Sequence, residues 1–473
     1  MMGVKQVAMT NGFRLGLDWS NPPENIDVQA LTQARQCEFD RTDNALRTVP
    51  GVRILYDFGL PVETLYYDVY RNKWYFSSGR NLYETDFSTN KLLGALNGAG
   101  KPKYHAFGGD ILISSGDKLQ VVSGAGKLAT LESPVCDIVS SHSGRVLIAS
   151  TKSHRLNWSA VGDYNAWNHI NNDASSAQYV DVGYKDQGSI IAVDFLSRAI
   201  IVYKEYGRVY QVIGTPDARN LTVYPLSSTG YCSGATISID DRSYYLGNQG
   251  FMSFMPTNTY AEIQPFETGL NINSYLLKYI TKDCEVWHIP SRKQLWIRPY
   301  SGDTVFIYHY LPRYEDGRGV FTSRKFTYNI NDAVNVDKDV YVAYGNKIGI
   351  LDETIDTDDN VQIQTSIVSG NRLATRQFIL IMNYNFVTHN LISGYGTIGI
   401  SNKKPKPIEF TSKSIKTYDV KFKTHDYKVP MNVNEYTKAY KIGGGANRNV
   451  QFKINVQKGA ISLRQLDYTY EEV

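Results

Sequence analysis

Apolar residues in this chain come in short runs of about four to six, broken by polar turns, a spacing that predicts strands rather than helices. The stretch LYYDVYRNKWYFSSGRNLYETD, Leu65 to Asp86, reads as strand, Arg-Asn-Lys turn, strand, Gly-Arg-Asn turn, strand. YHAFGGDILISSGDKLQVVS repeats that phrase. Further units begin near VCDIVSSHSGRVLIAS, SIIAVDFLSRAIIVYKEYGRVYQVI, ATISIDDRSYYLGNQGFMSF, CEVWHIPSRKQLWIRPYSGDTVFIYHY and DAVNVDKDVYVAYGNKIGIL. About seven units fall between residues 60 and 352, spaced by about 30 to 55 residues, the range of propeller blades. In each unit one strand is almost wholly apolar, as in ILISS, AIIVY and SYYLG. Such a strand must be buried on both faces, which a lone blade cannot do, so a closed ring of six to eight blades is expected.

The pattern changes after the acidic run LDETIDTDDN. From Val361 the strands lengthen and alternate, as in VQIQTSIVSG, FILIMNYNFV, NVQFKINV and AISLRQLDYTY, which predicts a β-sandwich. The expected fold is therefore all-β: an N-terminal leader over 1–54 that contributes to the ring, a β-propeller over 55–355 and a C-terminal β-sandwich over 360–473. A basic stretch, Lys403 to Lys428, interrupts the sandwich and reads as an extended hairpin or insertion. Its lysines, Lys403, Lys404 and Lys406 among them, are expected either at subunit or tail-component contacts, meeting acids such as Asp356, Asp358 and Asp359 of a neighbour, or in a solvated hairpin. The best helical candidate is VQALTQARQC, Val28 to Cys37, ahead of the ring.

Composition sharpens this picture only in places. The chain has 473 residues, 42% hydrophobic and 20% charged, enough apolar material for more than one core. Its 35 tyrosines and 38 glycines suit pleated surfaces joined by tight turns. A formal net charge of +4 does not by itself argue for a strong grip on nucleic acid, which needs positive charge concentrated on a surface. No signal-peptide pattern opens the chain, and no run approaches the roughly 18 apolar residues that span a bilayer, so no membrane anchor is expected.

Each chemical motif fails at a position its chemistry requires. Cys37, Cys136, Cys232 and Cys284 are widely spaced, show no metal-ligand spacing and read as free buried thiols. In DTDDN, Val361 and Ile367 stand where a calcium loop needs glycine and glutamate. GAGK, Gly124 to Lys127, lacks the first glycine of a phosphate loop and is followed by Leu128, so it reads as a hairpin turn. Ser233 in GYCSGA is misplaced for a nucleophile elbow. Asp240 and Asp241 read as turn residues, and the eight histidines follow no ligand spacing. The expectation is no enzyme, no cofactor and no metal.

NWSAVGDYNAW, Asn157 to Trp167, is the stretch most like a binding motif. It is similar to the Asp-box turn of sialidase-type propellers, with glycine and aspartate in swapped order. Trp158 and Trp167 would suit stacking on a sugar, with Asp163 between them, but two tryptophans around a turn better suit a corner that caps the space between blades.

The phrases NPPENIDVQA, ALRTVPGVRILYDFG, WYFSSGRNLYETD, LNGAGKPKYHAFGGDILISSGDKLQVV, SHRLNWSAVGDYNAWN and AIIVYKEYGRVYQVIGTP, over roughly residues 20 to 260, resemble the packaged-DNA stabilisation proteins of short-tailed bacteriophages, the tail hub or nozzle family. The C-terminal likeness is one of strand type only. The resemblance implies a propeller subunit of a homo-hexameric ring in the virion tail, made in the bacterial cytoplasm. The ring would sit beneath the portal and adaptor proteins, surround viral DNA leaving the capsid, and receive tail fibre, tailspike or needle proteins. The matching phrases are strands and turns, so no catalytic residue carries over. A carbohydrate-binding or glycan-cleaving propeller acting on a host surface is the alternative. Rings without glycan affinity would favour the first, and a glycan-binding or glycan-hydrolysing monomer the second.

Overall fold

The computed structural model describes residues 5–10, 13–40, 45–186, 188–196, 199–216, 220–228, 232–256, 262–281, 283–313, 317–388, 394–400, 404–410, 416–422, 425–431, 435–440 and 447–472. Seven blades form the ring. Blade 1 is built from Thr64–Asp68, Lys73–Ser78, Asn81–Thr85 and Asn90–Ala95, each antiparallel to the next. Blades 2 to 5 follow the same meander and begin at Lys103, Ile138, Ile190 and Cys232. Blade 6 begins with Glu285–Ile289, and blade 7 with Ile330–Val336. The apolar strands recognised in the sequence are the second strands of their blades. Asp110–Ser114, Ala199–Lys204 and Arg242–Gly247 are buried along nearly their whole length. Between blades 3 and 4, for example, Leu147, Ala149 and Trp158 meet Ile190, Ile200 and Val202.

Blade 7 is completed from the other end of the chain. Its last strand is Gly51–Asp57, antiparallel to Lys347–Asp352, so the ring is closed by a hydrogen-bonded seam between distant segments. The expected boundary at residues 54 and 55 therefore falls inside a strand.

The helix expected over Val28 to Cys37 does not form. That segment is strand Ala30–Arg35, followed by Cys37–Phe39. Ala30–Arg35 runs parallel to Gly16–Leu17 and antiparallel to Thr365–Ser369, which supply backbone partners along both its edges. Those long-range ladders outweigh the helical preference of its Ala, Leu and Gln residues, a weak local term. Among the described residues the α-helix is Leu270–Leu276, between blades 5 and 6.

Strand Ala30–Arg35 also joins the ring to the C-terminal region. Blade 6 continues through Gly16–Leu17, Ala30–Arg35, Thr365–Ser369, Phe452–Lys458 and Gly394–Ile400 to Lys406–Phe410, making one ten-stranded sheet. A second sheet holds Cys37–Phe39, Leu46–Thr48, Ile461–Glu472, Arg372–Thr388 and Glu435–Tyr440. The two pack as a sandwich, with Cys37, Leu46 and Leu463 of one against Ile367, Ile398 and Ile454 of the other. Within the basic stretch, Lys416–Phe422 and His425–Met431 pair antiparallel, the expected hairpin. Lys403 lies outside the described residues, and Lys404 and Lys406 are exposed.

The acids assigned to a neighbour's lysines are already engaged within the chain. Asp358 is 3% exposed and accepts from the Thr327 amide at 2.7 Å. Asp359 accepts from Lys347 Nζ at 2.5 Å and the Tyr328 hydroxyl at 2.8 Å. Asp356 accepts from the Gly459 amide at 2.7 Å and from Gln362 Nε2 at 2.8 Å. The acidic run is a clasp between blade 7 and the terminal sheet, so each of these acids already has a partner within its own chain.

Candidate functional site

The first strands of neighbouring blades approach one another and so line the axis of the ring. Where several of these strands begin, a cavity of about 590 Å³ opens on one face, between blades 1, 6 and 7. Its charged lining comprises Glu63, Arg80, Lys101, Asp283, Glu285 and Arg298, three acids and three cations. Lys101 Nζ donates to Glu285 Oε1 and to the Asn331 carbonyl, each at 2.8 Å, bridging blades 6 and 7 from the loop that enters blade 2. Arg298, 5% exposed, donates to the backbone carbonyls of Asp283, at 2.8 Å, and of Ile330. Both cations lie over the Trp287 ring, Lys101 at 5.9 Å and Arg298 at 5.4 Å from its centre. Blades 7 and 1 are joined here by Asn331 Nδ2 donating to the Val62 carbonyl at 2.7 Å and by the Leu65 amide donating to Asp332 Oδ2 at 2.9 Å.

The electrostatics are those of charges ringed by protein. Burial raises the pKa of Glu63 and of Asp332, although Lys101 opposes the shift at both. Lys103 is open to the axial space, yet encirclement by protein lowers its pKa against the pull of Glu285 and Asp137. Burial likewise lowers Arg298 and pushes Tyr66 up to about 12. Tyr66 stacks on Tyr104, whose hydroxyl is 2.7 Å from Thr64 Oγ1. Arg80, Lys101 and Arg298 are each tied to a carboxylate or a carbonyl, so the mouth suits a polar ligand or a structural joint. No nucleophile with an adjacent base stands in it.

The residues singled out from the sequence are dispersed. Trp158 is fully buried in the core between blades 3 and 4. Trp167 packs on the core between blades 2 and 3 and donates from Nε1 to the Tyr164 carbonyl at 2.8 Å. Asp163 accepts from the Asn165 amide at 2.8 Å. The loop containing them is pinned by buried Arg145, which donates to the carbonyls of Ser159, at 2.8 Å, of Ser176, at 2.5 Å, and of Ala174. NWSAVGDYNAW is thus a corner. Asp240 sits in a turn at φ 51°, and Gly124 to Lys127 make a hairpin turn closed by the Ser123 amide on the Lys127 carbonyl. Cys37, Cys136 and Cys284 are buried free thiols, while the side chains of Cys232 and Ser233 lie outside the described residues.

The axial charges had a usable signal in the sequence. Glu63, Lys103, Asp137 and Glu285 each stand at, or next to, the start of the first strand of a blade, so aligning the units at that strand would have brought them together. Among the described residues no group of three His, Cys, Asp or Glu side chains is arranged to hold a metal, and no helix is long and apolar enough to cross a membrane.

No family model matches the chain, and no curated protein matches it. Among solved structures, PorZ, a surface component of the type-IX secretion system of Porphyromonas gingivalis, is 12% identical with a TM-score of 0.40; the match covers 64% of this chain and only 37% of that one. The WD40 domain of Neurospora crassa Pan2 is 8% identical with a TM-score of 0.41, over 66% of this chain and 97% of that one. BamB of Moraxella catarrhalis is 10% identical with a TM-score of 0.39, over 66% and 92%. At these scores the likenesses carry no argument beyond the propeller already described.

Proposed function

We propose that the chain is a structural virion protein, the hub or nozzle subunit of a short bacteriophage tail. In this reading six copies form a ring that extends the channel of the portal and adaptor proteins. The ring helps retain packaged DNA and receives a tail fibre, tailspike or needle. The observation that carries the reading is the ten-stranded sheet running from blade 6 into the terminal sandwich. It ties ring and sandwich together by backbone hydrogen bonds, a construction suited to bearing load rather than to opening around a substrate. The strand and turn phrases over residues 20 to 260 support it, and the net charge of +4 suits a passage along which DNA slides.

The test is the mass and symmetry of the purified full chain, by mass photometry and negative-stain class averages. Six-fold rings are the expected result. A monomer that hydrolyses or binds surface glycans would overturn the reading in favour of a carbohydrate-active propeller.

A further inference from the structure

A groove of about 720 Å³ lies where the terminal sheet leaves blade 6, within the roughly 300–1,000 Å³ typical of ligand sites. Its floor is one face of that sheet. Arg35, Ser366, Asn455 and Thr397 are directly opposite one another on four successive strands, so their side chains share a face. The opposite face carries Ile367, Ile454 and Ile398 into the sandwich core. The alternation that makes the sandwich therefore leaves a polar row looking into the groove.

Three features of the groove point to one kind of occupant. The first is its wealth of primary amides. Gln33, Gln364 and Gln457 line it without a hydrogen-bond partner among the described residues, and Asn455 uses only Oδ1, which accepts from Ser366 at 2.7 Å. A carboxamide offers a donor and an acceptor side by side, the complement of a peptide unit. Gln36, in the same groove, already displays that match: Nε2 donates to the Lys325 carbonyl at 2.6 Å while Oε1 accepts from the Lys325 amide at 3.2 Å.

The second is an open strand edge. Val361–Gln362 lines the groove and ends its sheet, paired on one side with Thr357–Asp358 and with no strand beyond it among the described residues. Such an edge is a template for an added strand. The third is charge. Arg35 and Lys325 are matched by Asp303 and Asp358 in the lining, and Lys325 is already 3.4 Å from Asp303. Asp358 is 3% exposed, and its carboxylate lies by the buried Arg324 and Tyr344 and accepts from the Thr327 amide at 2.7 Å. With two acids and two cations, the lining favours neither an anionic nor a cationic ligand. The one aromatic ring in the lining, Phe326, is 1% exposed, so the groove presents no stacking platform for a sugar.

We propose that this groove binds an extended, uncharged polypeptide segment through its main chain, laid beside the Val361–Gln362 edge and held by Gln33, Gln364, Asn455 and Gln457. The inference stands on the groove alone and does not require a ring of six.

The test is to pan a random decapeptide display library on the full chain and to synthesise the recovered peptide in plain and backbone N-methylated forms. The expected peptides are poor in charge and proline. Gln364→Ala with Gln457→Ala should weaken the plain peptide at least tenfold; both side chains are exposed, and an unchanged unfolding midpoint will show that the fold persists. N-methylation at alternate residues should weaken it at least as much, and Glu132→Ala, on a distant exposed side chain, should not. The proposal fails if no peptide is recovered, if binding survives N-methylation or the paired substitution, or if maltotriose or chitotriose displaces the peptide, which would give the groove to a saccharide.

Discussion

Arg292 Nη1 lies 2.5 Å from Glu38 Oε1, joining the first hairpin of blade 6 to the leader at a carboxylate that is 1% exposed. Arg47 reaches the same oxygen at 2.8 Å, and Gln294 Nε2 donates to Glu38 Oε2 at 3.0 Å. Arg47 and Arg292 both continue to Glu353, at 3.2 and 2.5 Å, in the segment that follows blade 7. Leader, ring and linker thus meet at one buried charge. Replacing Glu38 with Gln removes the buried anion that the two guanidinium groups share and leaves them only the more exposed Glu353 in common. Breaking a buried pair from one side costs about 3–5 kcal/mol. Glu38→Gln and Arg292→Met should each lower the denaturant midpoint strongly, and the double variant should lose less than the sum of the two.

The same carboxylate gives a sign to the acid response. Burial by itself would raise the pKa of Glu38, but Arg292, then Arg47, and the Gln294 hydrogen bond outweigh it and hold it at about 2, against an ordinary 4.5. A depressed carboxylate contributes stability above its unfolded value and loses it as pH falls through its folded value. Unfolding free energy measured against pH should therefore show a component that declines between about 4.5 and 2. Glu38→Gln should abolish that component, so that the gap between variant and parent narrows across the same interval.

Closure of the ring depends on a residue with no side chain. Gly51 begins the strand that completes blade 7, and its amide donates to the Ile355 carbonyl at 2.9 Å. A Cβ there would stand 2.5 Å from the Thr357 carbonyl oxygen and 2.5 Å from Ile355 Cγ1. The carbonyl belongs to backbone and cannot rotate away. Gly51→Ala should cost about 1–3 kcal/mol, the range for overpacking. Limited proteolysis should show earlier cleavage near residues 50–60, and unchanged protease resistance would count against the seam as the point of closure.

Trp158 and Trp167 separate the corner reading of their loop from a binding one. Trp158 is fully buried, so Trp158→Ala should destabilise by about 3–5 kcal/mol. Trp167 is only partly buried, and its replacement should cost clearly less. Paired denaturation curves check the order, and an exposed, stability-neutral Trp158 would contradict the packing between blades 3 and 4.

Buried thiols should be chemically silent. Burial first, then Asp137 and Asp117, pushes the Cys136 thiol up to about 12, and burial also raises Cys37, with Glu38 adding to it. Neither forms thiolate at pH 8, so neither should react with a disulfide reagent until denaturant unfolds the chain. Peptide mapping after alkylation would read the result. Fast native labelling of Cys136 would mean that blade 2 opens.

Much of the ring was legible because each blade repeats a local rule. An apolar second strand such as ILISS or AIIVY cannot be half-exposed, so the sequence alone determined strands, their turns, the number of units near seven and the change of architecture after the acidic run. NWSAVGDYNAW was legible as a corner for the same reason, since its turn residues act on their own backbone. What needed the tertiary structure were the pairings between distant segments. Gly51–Asp57 carries no mark that it completes a blade made nearly 300 residues later, with Asp57 opposite Lys347. Val28 to Cys37 is locally a fair helix and becomes a strand only because Gly16–Leu17 and Thr365–Ser369 flank it. Asp356, Asp358 and Asp359 look like free acids in sequence and are spent on Gly459, Thr327 and Lys347 once the chain folds. The axial charges and the amide groove have the same origin. Periodicity acts over a few residues, whereas these sites exist only where strands from different parts of the chain are brought into register.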